Sequence, residues 1–306
     1  MNKEKTIGFL SAGLIYLIFG INIVFCKDLL NCGVASPTVI LAVRITGATI
    51  LFWLFSAMFV KEKIDKKDLV QILFASIIGI SIPFLSSIWG IKMSTPLDAS
   101  MINSLKPLFA IFASYLVFRE KPNGRTWIGI LVAIFGVGML MLSGKGLDSA
   151  FKTTPLGLLL LLINGLSFAF YLTVFKPLIK KYHPITFMKW SMLFAIAVIL
   201  PAASGDIPKA DLSIMTPTLY LELGFIVIAA TFLSFLLSPI AQKRITSTEY
   251  CITSNIQPIS ATFLSISLGM DVMTWQKLTA MLLMAFGIFL TIINNESNIP
   301  ESRSIK

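Results

Sequence analysis

A chain of 306 residues that is 56% hydrophobic and only 13% charged cannot coat a globular surface with polar groups, since soluble domains carry about 25% charged residues. Its mean hydropathy of +0.85 places it in a bilayer. The net charge of +10 does not read as nucleic-acid binding, because the basic residues stand singly or in short clusters between apolar runs, as membrane-flanking anchors do.

Ten spans are predicted in chain order, at residues 7–25, 37–60, 69–89, 97–118, 126–142, 155–175, 184–203, 218–239, 246–268 and 275–293. Lys3 and Lys5 ahead of the first run invite a signal-peptide reading. That run is too long for an h-region and lacks an A-x-A exit, so it is expected to stay as a helix. With a cytoplasmic N-terminus, the inside segments hold sixteen lysines and arginines and the outside segments six, Lys27 and Lys277 among them, while Arg44, Lys106 and Lys189 lie inside spans. Positive residues favour the cytoplasmic side. The expectation is a multi-pass protein of the plasma membrane with both termini cytoplasmic.

Shifted by 151 residues, the chain matches itself: Pro107 falls on Pro258, Glu120 on Asp271, Lys92 on Lys243, Asp98 on Glu249 and Gly136 on Gly287. Five spans per copy is an odd number, so the second copy enters the membrane from the other side. The expected fold is therefore an all-α integral membrane protein of ten transmembrane helices, arranged as two inverted five-helix repeats. Residues 1–143 form the first repeat, 144–154 an external linker, 155–293 the second repeat and 294–306 a cytoplasmic tail. Inverted repeats can exchange conformations, which gives alternating access around a midplane site.

Polar residues within apolar runs mark the candidate site. Lys106 lies nine residues into span four, ~14 Å deep at a rise of ~1.5 Å per residue. A centred ammonium costs ~2.5–3.5 kcal/mol, so it should face a cavity or a partner. Asn103 shares its face, and Pro107 frees a backbone carbonyl. The matching trio is Ser254, Gln257 and Pro258. The two prolines are read as hinges, and the alternative is that they merely kink their helices, with Lys106 neutral or paired to backbone carbonyls. Arg44 either binds a carboxylate or phosphate, snorkels, or pairs with Asp98. Asn22, Trp89 and Tyr171 complete the candidate substrate-binding set, with Asn164 as a further polar group. Lys189 is expected to snorkel and Glu222 to sit at the membrane interface.

Other features carry less. Cys26, Cys32 and Cys251 form no zinc or CxxC pattern, and Cys26 and Cys32 either stay unpaired or bridge a loop. His183 reads as a solvated loop residue. Gly129, Gly136, Gly138 and Gly287 read as helix-packing positions, with a dimer contact as an alternative use. Gly144-Lys145-Gly146 lacks the rest of a nucleotide-binding loop.

The segment 104–141, SLKPLFAIFASYLVFREKPNGRTWIGILVAIFGVGMLM, resembles the EamA signature of the drug/metabolite transporter superfamily. The second copy, 255–291, is similar but weaker: Asp271 replaces the usual Glu, and Ala280 and Phe289 stand where the first copy has Gly129 and Gly138. Phe19-Gly20-Ile21-Asn22 resembles the family's W-G-x-N element, and Arg44 matches a basic residue common in its second span. The resemblance implies a secondary carrier of small metabolites or drugs, mostly outward, often by proton coupling or exchange.

Within that reading, Arg44 and Lys106 give the site a positive bias with no acid at the membrane centre. An anionic or zwitterionic solute such as an amino acid is expected, moved outward by uncoupled transport or exchange. An organic-cation efflux carrier is the alternative, opposed by a first span without an acid. A polytopic enzyme would need clustered carboxylates or histidines, and only isolated acids at span ends are read. No enzymatic activity and no cofactor are expected. The partners are a small solute and the lipid bilayer, with no nucleic acid, and the chain is a monomer or homodimer.

Overall fold

The computed structural model describes residues 3–60, 62–119, 123–143, 153–245, 249–250 and 253–292. Glu120, Cys251, residues 144–152 of the expected linker and the expected tail lie outside them. Four helices begin with a Ser or Thr whose side chain accepts a backbone N–H of the first turn, followed at once by proline: Ser36-Pro37, Thr95-Pro96, Thr154-Pro155 and Thr216-Pro217. The hydroxyl satisfies an orphan donor, and proline occupies a position whose N–H has no partner anyway. All four starts fall at one end of the molecule, called here the capped end.

In chain order the helices are α1 (Lys3–Cys32), α2 (Pro37–Phe59), α3 (Lys66–Ser76), α4 (Ile82–Lys92), α5 (Pro96–Asn103), α6 (Lys106–Phe118), α7 (Gly124–Ser143), α8 (Pro155–Val174), α9 (Lys176–Lys181), α10 (Pro184–Ser204), α11 (Pro217–Val227), α12 (Ser234–Arg244), α13 (Ile256–Ser267) and α14 (Trp275–Ile292). A wide π turn, Ile77–Ser81, joins α3 to α4, and another, Ile228–Leu233, joins α11 to α12. Their starts are 151 residues apart, the offset of the sequence match. Among the described residues there is no strand. Seven helical runs are long and apolar enough to cross a membrane, and Gly124–Leu140 and Trp275–Thr291 are shorter apolar helices. The chain is an all-helical, multi-pass membrane protein.

Packing is exchanged between the halves. α1 packs against α12 and α13, while α8 packs against α4 and α6; α2 pairs with α10 and α7 with α14. α7 and α14 approach each other closely. A methyl group added at Gly129 would lie 2.6 Å from the Gly287 carbonyl, and one at Gly287 would lie 2.6 Å from the Gly129 carbonyl. Gly129, Gly136 and Gly287 therefore serve contacts within the chain and not a dimer face, whereas Gly138 meets open space.

Several sequence expectations change. The first helix does not end near residue 25 but runs to Cys32, so Asp28 lies on it and Cys26 and Cys32 share one helix, both unbridged. Lys27, expected in an outside loop, is buried because its ammonium donates to the carbonyls of Ile91 (3.2 Å) and Lys92 (2.9 Å) at the end of α4. That arrangement satisfies terminal carbonyls of a helix with a cation. Lys277, also expected outside, is fully buried in an ion cluster with Asp98 (3.2 Å) and Asp271 (2.6 Å). Glu222, expected at the interface, is buried against α1. The acids are thus not isolated: Asp98 and Asp271 share a lysine.

At the opposite end the halves meet through exposed pairs, Lys5–Glu249, Arg244–Glu4 and Lys181 with Asp65 and Asp68. Hydrogen bonds to Asp68 and Asp65 hold the Lys181 ammonium above the usual lysine range.

Candidate functional site

Midway along the helices, seven segments line a chamber of about 70 Å³. A single water needs roughly 10–15 Å³, so a polar solute of a few heavy atoms fits. Its polar groups are Asn22 from α1, Arg44 from α2, Ser87 from α4, Asn103 and Lys106 from the α5–α6 break, Asn164 from α8 and Gln257 from α13. Phe19, Phe84, Phe168 and Phe235 form the apolar wall.

The helix breaks explain why polar groups gather there. Pro107 and Pro258 cannot donate to the preceding turn, so α5 gives way to α6 at Ser104–Leu105, and a short 3-10 turn, Thr253–Asn255, precedes α13. The freed Ser104 carbonyl accepts the Ser254 hydroxyl at 3.5 Å. The two breaks therefore touch across the halves. The π turns act similarly: Arg44 Nε donates to Thr231 Oγ1 (2.6 Å) and its Nη2 to the Ala230 carbonyl (3.3 Å), both in the second π turn. At the first π turn, Ser167 Oγ donates to the Ile78 carbonyl (2.6 Å), and Asn164 Nδ2 donates to that of Pro83 (2.7 Å) just beyond it in α4. A π turn leaves carbonyls out of the helical ladder, where side chains from a neighbouring helix can reach them.

Both chamber cations lie over aromatic faces. The Arg44 guanidinium is 4.5 Å from the Phe84 ring centre. The Lys106 ammonium is 5.3 Å from Tyr16 and 5.6 Å from each of Phe19 and Phe168. Such contacts hold a cation in an apolar setting without neutralising it. Arg44 is not paired to Asp98, which is occupied by Lys277. Among the described residues no acid lines the chamber. Gln257 is 2% exposed, and its Oε1 has no hydrogen-bond partner among the described residues. An enclosed acceptor without a donor is costly unless a ligand or water supplies one.

Five of the eight sequence candidates, Asn22, Arg44, Asn103, Lys106 and Gln257, line the chamber. Tyr171 stands behind it, its ring packed on Gly79 and tilted against Phe168. Ser254 braces the helix break, and Trp89 lies under the Lys92 ammonium at 5.3 Å. Lys189 donates to Ser56 Oγ at 2.8 Å and faces Trp53. Of the chamber lining, Phe84, Phe168, Phe235 and Ser87 were not singled out by sequence. Phe84 and Phe235 gave no signal among 24 phenylalanines.

The fold and the chamber define a polytopic membrane protein with a polar, positively charged compartment between two halves. Residues 6–142 and 155–293 each match the EamA-like transporter family, and the chain belongs to that family. The Bacillus subtilis (strain 168) protein called "Uncharacterized transporter YcxC" is 24% identical, with 97% of this chain and 96% of that protein covered. "Uncharacterized transporter YetK" from the same organism is 23% identical over 76% of this chain and 71% of its own length. One solved crystal structure superposes with a TM-score of 0.63 at 17% identity, covering 92% of this chain and 98% of that one. That likeness speaks to the fold alone.

Proposed function

We propose that the chain is a secondary carrier that moves a small zwitterionic or anionic metabolite, an amino acid or a close relative, outward across the plasma membrane. The observation that carries this reading is the chamber itself: two fixed cations and four amide side chains converge from both halves, with no acid among the lining residues. Arg44 and Lys106 would hold the carboxylate, with Asn22, Asn103, Asn164 and Gln257 orienting the rest of the solute. The α6 helix starts at Lys106, adding the partial positive charge of its N-terminus.

Alternating access between inverted repeats is supported by the exchanged packing of α1 and α8 and by π turns recurring at the offset of the repeat. Pro107 and Pro258 sit where each break would bend. The positive-inside count supports cytoplasmic termini. A second reading, efflux of organic cations, draws on the four phenylalanines of the wall; the two fixed positive charges oppose it.

Flux into proteoliposomes tests the proposal. Labelled L-serine and L-glutamate should enter, and tetraphenylphosphonium should not. Arg44→Ala and Lys106→Met should each cut amino-acid flux at least about tenfold, as loss of a charge-assisted contact does. Transport of the cation alone, or unchanged amino-acid flux in both variants, would refute it.

A further inference from the structure

Two acids outside the chamber meet inside the helix bundle. Glu222, five residues past Pro217 in α11, is 5% exposed; Asp28 lies half-buried near the end of α1. Their carboxyls lie within hydrogen-bond reach of each other. The contact belongs to the seam where α1 packs on α11. In that seam Phe25 meets Phe225 edge-on at 5.2 Å. The two helices run antiparallel, so three residues onward in α1 and three back in α11 lead from that ring pair to Asp28 and Glu222. The Oε2 of Glu222 is enclosed with no hydrogen-bond partner among the described residues. Two carboxylates that touch in a buried seam repel each other when both are ionised, and a hydrogen bond between them needs one proton, so the singly protonated pair is the favoured resting state.

The charged and titratable groups around the pair are few. Cys26 and Cys32 of α1 lie within electrostatic reach of Glu222, and the buried Cys26 also lies within reach of Arg44 in α2. Lys27 turns away to the carbonyls of Ile91 and Lys92. Among the described residues neither acid forms a salt bridge. Cys26 also donates to Asn22 Oδ1 at 3.7 Å, and Asn22 lines the chamber. Cys26 therefore lies within electrostatic reach of both Glu222 and Arg44 and touches the chamber-lining Asn22.

We propose that Asp28 and Glu222, one acid from each half, share a single exchangeable proton and form the coupling-proton site of this carrier. The proposal rests on the transport reading above. Release converts one carboxylic acid and one carboxylate into two carboxylates and hands a proton to water on the face to which the carrier is open; uptake on the other face reverses this, and no other bond changes. The added negative charge draws on the field of Arg44, so a proton on the pair and an anionic group at Arg44 favour each other. Solute and proton then move together, and a cell overfilled with the solute expels it with a proton.

Infrared difference spectroscopy of the purified, solute-free protein tests the site. A protonated-carboxyl stretch should titrate with pH and vanish in both Glu222→Gln and Asp28→Asn; using either helix guards against one variant failing to fold. In proteoliposomes, an inward proton gradient should raise L-glutamate accumulation by wild type about tenfold. Glu222→Gln should keep glutamate-for-glutamate exchange and lose that response. A missing carboxyl band, a band unchanged in both variants, or wild-type flux indifferent to the gradient overturns the proposal. If wild type moves neither glutamate nor serine, the transport reading fails, and the infrared band alone decides whether the proton site exists.

Discussion

The molecule buries charge in two ways. At the capped end, Lys277 is enclosed between Asp98 and Asp271, with Thr95 Oγ1 accepting from its ammonium and Thr153 Oγ1 donating to Asp98. The Leu97 N–H, at the start of α5, donates to Asp271. At mid-depth, Arg44 instead meets neutral partners, and both chamber cations lie over aromatic faces. The first cluster has spent its charge on the fold, joining α5 of one half to α14 of the other. In the second, no acid among the described residues lines the cavity that its cations face.

The comparison breaks most sharply at Lys277. Lys277→Ala leaves two buried carboxylates without their cation, and orphaning a buried charge costs ~3–5 kcal/mol; thermal unfolding in detergent should show the largest drop of any variant here. Gly287→Leu should follow, because its side chain would collide with the Gly129 carbonyl, and overpacking of this kind costs ~1–3 kcal/mol. Lys106→Met separates the two clusters in kind. It should lower the melting temperature far less than Lys277→Ala does, yet cut flux at least about tenfold. A loss of stability as large as that of Lys277→Ala would make the chamber structural.

Ser254→Ala removes the bond to the Ser104 carbonyl and should cost ~0.5–1.5 kcal/mol. The smallest effect belongs to Asp206, which Lys209 foremost, then Ser36, hold below the usual carboxylate range. A depressed carboxyl stabilises the fold above its unfolded value and loses that contribution as pH falls through its folded value. Asp206→Asn should therefore melt slightly lower at neutral pH and converge with wild type in acid.

Depth along a helix was legible in the sequence; the direction a side chain faces was not. A polar residue inside an apolar run announces itself, so Arg44, Lys106 and the paired prolines stood out. Trp89, Tyr171 and Ser254 have the right depth but turn to other neighbours, because each residue rotates the face by ~100°. The two π turns have no composition that marks them. Lys27 and Lys277 looked like loop anchors because charge near a span end usually is one; only the packed structure supplies the carbonyls and carboxylates that draw them inward. Asp28 and Glu222 were invisible as a pair, since their meeting depends on α1 crossing to the other half.

The central claim is that Arg44 and Lys106 recognise the solute's negative group. A melting-temperature screen of small metabolites on purified wild type, with Lys106→Met as reference, tests it most directly. A true solute at ~100 times its dissociation constant stabilises the folded protein by ~2.7 kcal/mol. The account predicts that zwitterionic or anionic metabolites raise the wild-type midpoint and leave Lys106→Met unmoved. Stabilisation by cations alone, or equal stabilisation of wild type and variant, would contradict it.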